Sequence, residues 1–277
     1  MEAIPAIDVH AHYGVCRGGR SALVERFESG DVEVVLRRAR AANTRLTFCS
    51  PLSGLLPRRG ADPVAGNEES RRVIPGHPGL RYWVVVDPLH PQTFQQAEQS
   101  LADPWCVGIK IHPEEHGYPI AEHGPAIFQF AARHGAIVQS HSGEPNSLPE
   151  AFVPLADEFP EVALILSHLG CGHDDDPTHQ VRAIQAGRRG NIYTDTSSAK
   201  SIMSNLIEWA AGEVGAERLL YGTDSPLYFA PMQRARIDHA DLNDQHKRLI
   251  LCGNAERLFR ERLAMLPDEP GGGGKRP

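Results

Sequence analysis

Asp8-Val9-His10-Ala11-His12 carries two imidazoles at a spacing of two. Side chains alternate along an extended strand, so His10 and His12 leave from one face and can chelate one cation. Four later runs end on groups that bind metal or carry protons: Ile109-Lys110-Ile111-His112, Gln139-Ser140-His141, Ser167-His168 and Gly222-Thr223-Asp224. Each alone has an ordinary explanation. A strand-end histidine is usually a hydrogen-bonded structural residue, Lys110 can be a solvated side chain, and Asp224 can cap the turn into Ser225-Pro226. Three histidine-bearing strand ends, a chelating pair and an aspartate at one rim are improbable together by chance. Nitrogen and oxygen donors without thiolate suit Zn, Mn, Fe or Co, at a site that keeps positions open for water. Such an ion lowers the pKa of bound water toward about 7.

These residues share a site only if the runs that carry them form one sheet. Short β-branched runs at 4–9, 45–49, 81–86, 107–111, 136–140, 163–167, 191–194 and 218–222 predict eight strands. Each is followed by helical spacing, at 32–42, 68–74, 93–101, 125–134, 149–158, 178–186, 202–214 and 242–259. Eight β-α units in 277 residues predict a (β/α)8 TIM barrel, a fold of about 250 residues whose active site lies at the C-terminal strand ends. No G-x-G-x-x-G follows the first strand, which argues against an open dinucleotide-binding sheet. Residues 1–264 read as one barrel domain and 265–277, ending Gly-Gly-Gly-Gly-Lys-Arg-Pro, as a flexible tail. The Pro, Gly and Arg of 50–67 read as a loop over the second strand.

Net charge is −7 and no basic run stands out, so nucleic acid is an unexpected partner. The first ten residues lack a basic stretch followed by an apolar one, and no window is apolar for long enough to span a bilayer. A cytoplasmic enzyme with no membrane partner is expected, acting on a small molecule; self-association is left open. Five scattered cysteines without a Cys-x-x-Cys pair argue against a disulfide framework and a thiolate zinc site. Histidine is over-represented, with 14 residues where ordinary usage would supply about half as many.

The D-x-H-x-H of strand one, the strand-five and strand-six histidines, Gly222-Thr223-Asp224-Ser225-Pro226 and the closing Gly253-Asn254-Ala255-Glu256-Arg257-Leu258-Phe259 resemble the amidohydrolase superfamily. The match is to its amidohydrolase-related (amidohydrolase 2) group of metal-dependent TIM-barrel hydrolases and decarboxylases, and it runs from Asp8 to Phe259. The resemblance implies that His10, His12, His141 and Asp224 hold one divalent ion, most simply zinc, and that His168 is an acid/base beside it. It also opens a two-ion alternative, in which a carboxylated Lys110 bridges two metals and His141 and His168 hold the second. Asp224 would also act catalytically, taking a proton from metal-activated water that attacks an amide, ester or lactone carbonyl. Lys110, His112 and Gln139 would orient a carboxylate-bearing substrate. The alternative activity is non-oxidative decarboxylation of the aminocarboxymuconate-semialdehyde decarboxylase type. Tyr118, Cys171 and His173 are candidates for loops bordering the substrate, with packing an equal reading for Tyr118 and a solvated turn for Cys171-Gly172-His173-Asp174-Asp175-Asp176-Pro177.

Overall fold

The computed structural model describes residues 4–18, 21–58 and 60–265; the expected tail from 266 onward lies outside them. Eight parallel strands follow one another in chain order: β1 (Ala6–Tyr13), β2 (Thr44–Pro51), β3 (Leu80–Val85), β4 (Cys106–Ile111), β5 (Val138–Ser140), β6 (Leu164–Leu166), β7 (Ile192–Asp195) and β8 (Leu219–Leu220). The ring is completed where Val9 N donates to Tyr221 O at 2.9 Å and Ala11 bridges Ser225. Helices fill the intervals, so the expected TIM barrel is the architecture. No described helix is long and apolar enough to cross a membrane.

Alternation divides β4 as its sequence predicts. Ile109 and Ile111 join Val84, Phe128 and Phe152 in the core between strands and helices, while Lys110 faces inward. Gly108 is required here, because a Cβ would lie 2.6 Å from the Ile137 carbonyl oxygen and 2.7 Å from the Trp83 ring. The lower barrel is apolar, with Ile7, Phe48, Trp83, Ile165 and Leu220 closed off by Phe259. The Phe259 ring meets Phe48 at 4.9 Å and Trp83 at 5.6 Å, both edge-on, contacts worth about 1 kcal/mol each beyond their buried area. Asn254, one turn earlier, donates to the carbonyls of Ala216 and Leu219 at 2.7 and 2.8 Å. The closing N-A-x-R-L-F motif is thus a plug and its anchor.

Above the plug the interior turns polar. The β1–β2 register slips between Asp8 and Ala11, and the Val9 carbonyl points inward to accept from Trp83 Nε1 and Gln139 Nε2, both at 3.0 Å. His10, within this slip, and His12, just past it, both face the mouth.

Several helix boundaries differ from expectation. About half of the segment 50–67 is helical, in Leu52–Leu55 and the start of Pro63–Val73. Its Pro and Gly residues start and pack helices: Asp62 caps by accepting from Ala65 N, Pro63 sits in the first turn, and Gly66 lies against Gly54. The expected single helix over 242–259 is instead Asp244–Arg248, a π-helical turn at Leu249–Gly253 and Asn254–Leu258. A further helix, Ala230–Asp238, was not anticipated; its apolar residues fall on no single face.

Asp8 ties β1 to the end of β8. Its carboxyl accepts from His10 N and Thr223 N at 3.1 Å each, and Thr223 Oγ1 lies 2.6 Å away. Burial pushes this carboxyl up to about 8, so the fold holds the protonated form. With the folded value above the unfolded one, the contribution is fully present below about pH 4 and is lost as pH rises through about 8. Asp8→Asn, which mimics the neutral acid, is expected to flatten the fall in melting temperature of the metal-free protein between pH 5 and pH 9. An unchanged slope would contradict this assignment.

Candidate metal centre at the barrel mouth

At the C-terminal ends of the strands lies a cavity of 200 Å³. His10, His12, Lys110, His112, His141, His168 and Asp224 line it, with Leu55, Leu56, Cys171, Ser198, Leu227 and Tyr228. A larger hollow of 690 Å³ at the opposite end is lined by Arg257, Arg260, Glu261 and their neighbours. Among the described residues it brings no set of metal donors together, and barrel chemistry belongs at the other rim.

Five imidazoles form a chain around the mouth. His12 meets His10 at 5.2 Å between ring centroids, His10 meets His168 at 4.8 Å, and His168 meets His141 at 4.8 Å. His141 stacks on His112 at 4.0 Å with planes 11° apart. Asp224 closes the set: its Oδ1 lies 2.9 Å from His12 Nε2 and 3.4 Å from His10 Nε2. The donor atoms of His10, His12 and Asp224 all lie within 4.8 Å of one another, and all three side chains are buried. Two imidazole nitrogens aimed at one carboxylate oxygen suit a small divalent cation.

His168 and Asp224 both adopt left-handed backbone, with φ of 72° and 55°. That conformation costs a non-glycine residue on the order of 1 kcal/mol or more. It is held by bonds from His168 N to Asp195 Oδ1 at 3.1 Å and from Asp224 N to the His10 carbonyl at 2.8 Å.

Burial dominates the electrostatics. It lowers His10 to about 4 and holds His112 and His168 well below the ordinary imidazole value, so these rings are neutral at pH 7. Burial also brings Lys110 down to about 8, against the pull of Asp195 and Asp224. The Lys110 Nζ donates to His10 Nε2 at 3.1 Å and to Gln139 Oε1 at 3.3 Å. Although burial opposes it, the surrounding histidines and the Ser197 hydroxyl hold the Asp195 carboxyl far below the usual carboxylate range; the same opposition with His12, His10 and His168 holds Asp224 low.

The other expected site residues fall into place unevenly. His141 lines the cavity, but its Nε2 lies 2.8 Å from Glu144 Oε2 and outside the three-residue donor cluster. Glu144 is in turn bound by Arg58 at 3.2 Å, and Arg58 also reaches Glu114 at 3.1 Å. His112 caps the short helix Pro113–His116, its Nδ1 accepting from Glu115 N. Gln139 lies beneath the cavity, spanning Lys110, the Val9 carbonyl and Asp195, and is a strut of the floor where substrate contact was expected. Of the two readings of Tyr118 the structure has packing: Gly117, at φ 76°, ends the preceding helix, and Tyr118 is buried in the strand–helix core, away from the cavity. Cys171 lines the wall. His173 does not; its backbone N–H donates to the Gly143 carbonyl.

Asp195 and Ser197 were missed. Asp195 Oδ2 lies 3.0 Å from His10 Nδ1, and Ser197 Oγ lies 3.0 Å from His10 Nδ1 and 2.8 Å from His168 Nδ1. The expected seventh strand ended at Thr194; one more residue of alternation brings Asp195 to the interior.

Comparison with known proteins agrees with the fold. The structure is similar to 5-carboxyvanillate decarboxylase from Sphingomonas paucimobilis, with a TM-score of 0.73, 13% identity, and coverage of 93% of this chain and 99% of the other. It is similar to a dihydroxybenzoic acid decarboxylase from Polaromonas, solved with manganese and 2-nitroresorcinol, at TM-score 0.71 and 14% identity, covering 94% and 99%. An uncharacterized TIM-barrel protein from Bordetella bronchiseptica matches at TM-score 0.72 and 18% identity, with the same coverage. At these identities the likeness concerns the fold. No curated protein sequence matches. Residues 57–260 match the sequence profile described as amidohydrolase, and the chain therefore belongs to the amidohydrolase family.

Proposed function

We propose that the protein is a divalent-metal-dependent, non-oxidative decarboxylase of a small hydroxylated aromatic or conjugated carboxylic acid. The observation that carries this reading is the lining of the cavity: the imidazoles and Asp224 of the strand ends together with Leu55, Leu56, Leu227 and Tyr228 of the segments that follow β2 and β8. Such a space takes a flat ring between apolar groups with its oxygen substituents turned to the strand ends. The decarboxylases among the similar structures support the reading. It replaces carbonyl hydrolysis, the first expectation from sequence. Hydrolysis stays as a second reading because Asp224 Oδ1, beside His10 and His12, could accept a proton from attacking water.

His10, His12 and Asp224 would hold the ion, with His141 the proposed fourth donor. When bound, the ion supplies positive charge that anchors carboxylate and hydroxyl oxygens and draws electron density from the ring. Manganese or zinc suits these donors, and manganese is present in two of the similar structures. One ion is favoured, because the Lys110 amine contacts His10 and Gln139, and a second group of candidate donors, His10, His168 and Asp195, is already joined through Ser197.

His168 is the proposed proton carrier. Its Nδ1 is engaged by Ser197, which leaves Nε2 for the cavity. In the proposed sequence Nε2 accepts the substrate hydroxyl proton and delivers it to the ring carbon that bears the carboxylate. The carbon–carbon bond then breaks, its electron pair returns to the ring, and carbon dioxide and a phenolate leave. The phenolate takes its proton from solvent. Apolar walls exclude competing water, and the buried cation of Lys110 offsets the charge of Asp195 and Asp224.

Elemental analysis of the purified protein is expected to find one equivalent of a divalent transition metal, and Asp224→Asn to lose most of it while keeping the fold. Incubated with a panel of hydroxybenzoic acids and Mn2+, the protein is expected to release carbon dioxide, and a chelator to abolish the release. His168→Ala should lower turnover by about 10²- to 10⁴-fold with metal content unchanged. Hydrolysis of lactones or amides without carbon dioxide release would favour the second reading. Turnover insensitive to chelator would remove both.

A further inference from the structure

The proton inventory behind the two central histidines is constrained. Asp195 Oδ1 accepts from the backbone N–H groups of His168 and Ser197, both at 3.1 Å, and from the Ser197 hydroxyl; Oδ2 accepts from Gln139 Nε2 at 3.2 Å. An ionised carboxylate has nothing to donate, so at the 3.0 Å contact with Oδ2 the hydrogen belongs to His10 Nδ1. The Ser197 hydroxyl spends its one hydrogen on Asp195, so its oxygen can only accept from His168 Nδ1 at 2.8 Å. A separate contact gives the same answer for His10: Lys110 Nζ, a donor, meets His10 Nε2 at 3.1 Å, and that nitrogen must offer a lone pair.

We infer that Asp195 and Ser197 are positioning residues that fix His10 and His168 as Nδ1–H imidazoles, so that both rings turn an Nε2 lone pair, rather than an N–H, toward the cavity. Free neutral imidazole side chains in water favour the opposite form, with hydrogen on Nε2, so the dyad reverses an intrinsic preference. One carboxylate serves two rings: directly for His10, and through the Ser197 hydroxyl for His168. The two members therefore have separable effects. Asp195 supports the donor strength of His10 toward a cation, as outer carboxylates do for metal-bound histidines. Ser197 sets which nitrogen of His168 can accept a proton. This consequence rests on the proposed metal-dependent proton transfer, whereas the tautomer assignment itself does not.

The test is long-range 15N–1H NMR of metal-free protein labelled with 15N-histidine, with resonances assigned by His10→Gln and His168→Gln. Both histidines are expected to carry hydrogen on Nδ1 in the wild type. Ser197→Ala should return His168 toward the Nε2–H form, keep His10 in the Nδ1–H form because Asp195 still accepts from it, and lower turnover at least tenfold with Mn2+ affinity within about threefold of wild type. Asp195→Asn should shift His10 and weaken Mn2+ binding by about 10- to 100-fold. Should Asp195→Asn fail to fold, the wild-type and Ser197→Ala spectra decide. Hydrogen on Nε2 of either histidine in the wild type, or an unshifted His168 in Ser197→Ala, would overturn the inference. Failure of the decarboxylase reading would appear separately, as absent carbon dioxide release with these spectra as expected.

Discussion

Two ionised carboxylates, Asp195 and Asp224, are buried at the polar end of the barrel, and the upper half of the molecule is organised around keeping them there. A buried charge without partners is expensive. Asp195 is satisfied by two backbone N–H groups, the Ser197 hydroxyl, Gln139 and His10, and the Lys110 cation stands close by. Asp224 faces two imidazole nitrogens instead. This difference separates their roles. Asp195 is embedded in the structure, and Asp224 faces a place where a cation can be added.

The same constraint explains the layers below. Phe259, Phe48 and Trp83 seal the lower barrel and keep water from reaching the polar layer from beneath. Trp83 and Gln139 satisfy the Val9 carbonyl that the β1 irregularity turns inward. His10 and His168 can then stay neutral, as metal ligation and proton acceptance require, because burial lowers both with no competing solvent.

The order of the strands, the inward direction of Lys110 and the convergence of His10, His12 and Asp224 were legible because a two-residue alternation carries them. Less legible were features that depend on where an element stops. Ending β7 at Thr194 hid Asp195, and with it the network behind His10. Reading Pro and Gly at 50–67 as loop punctuation hid the short helix Leu52–Leu55 and the start of the helix expected from 68, since the same residues start that helix at Pro63 and allow close packing at Gly54 and Gly66. The Glu144 contact to His141 joins residues three apart in a tight turn and has no periodicity to betray it. Tyr118 was ambiguous from sequence, and the left-handed Gly117 decided its direction. Hydrolysis and decarboxylation share a ligand set, so sequence alone separated them poorly; the apolar wall contributed by Leu227 and Tyr228 became visible only once the eighth-strand loop was placed.

The central claim is that His10, His12 and Asp224 surround one cation. Anomalous diffraction from crystals of the protein loaded with Mn2+, recorded at an energy where manganese scatters strongly, measures this directly. The account predicts a single strong peak within coordination distance of His10 Nε2, His12 Nε2 and an Asp224 oxygen. A peak elsewhere in the molecule, or none at full Mn2+ loading, would contradict it.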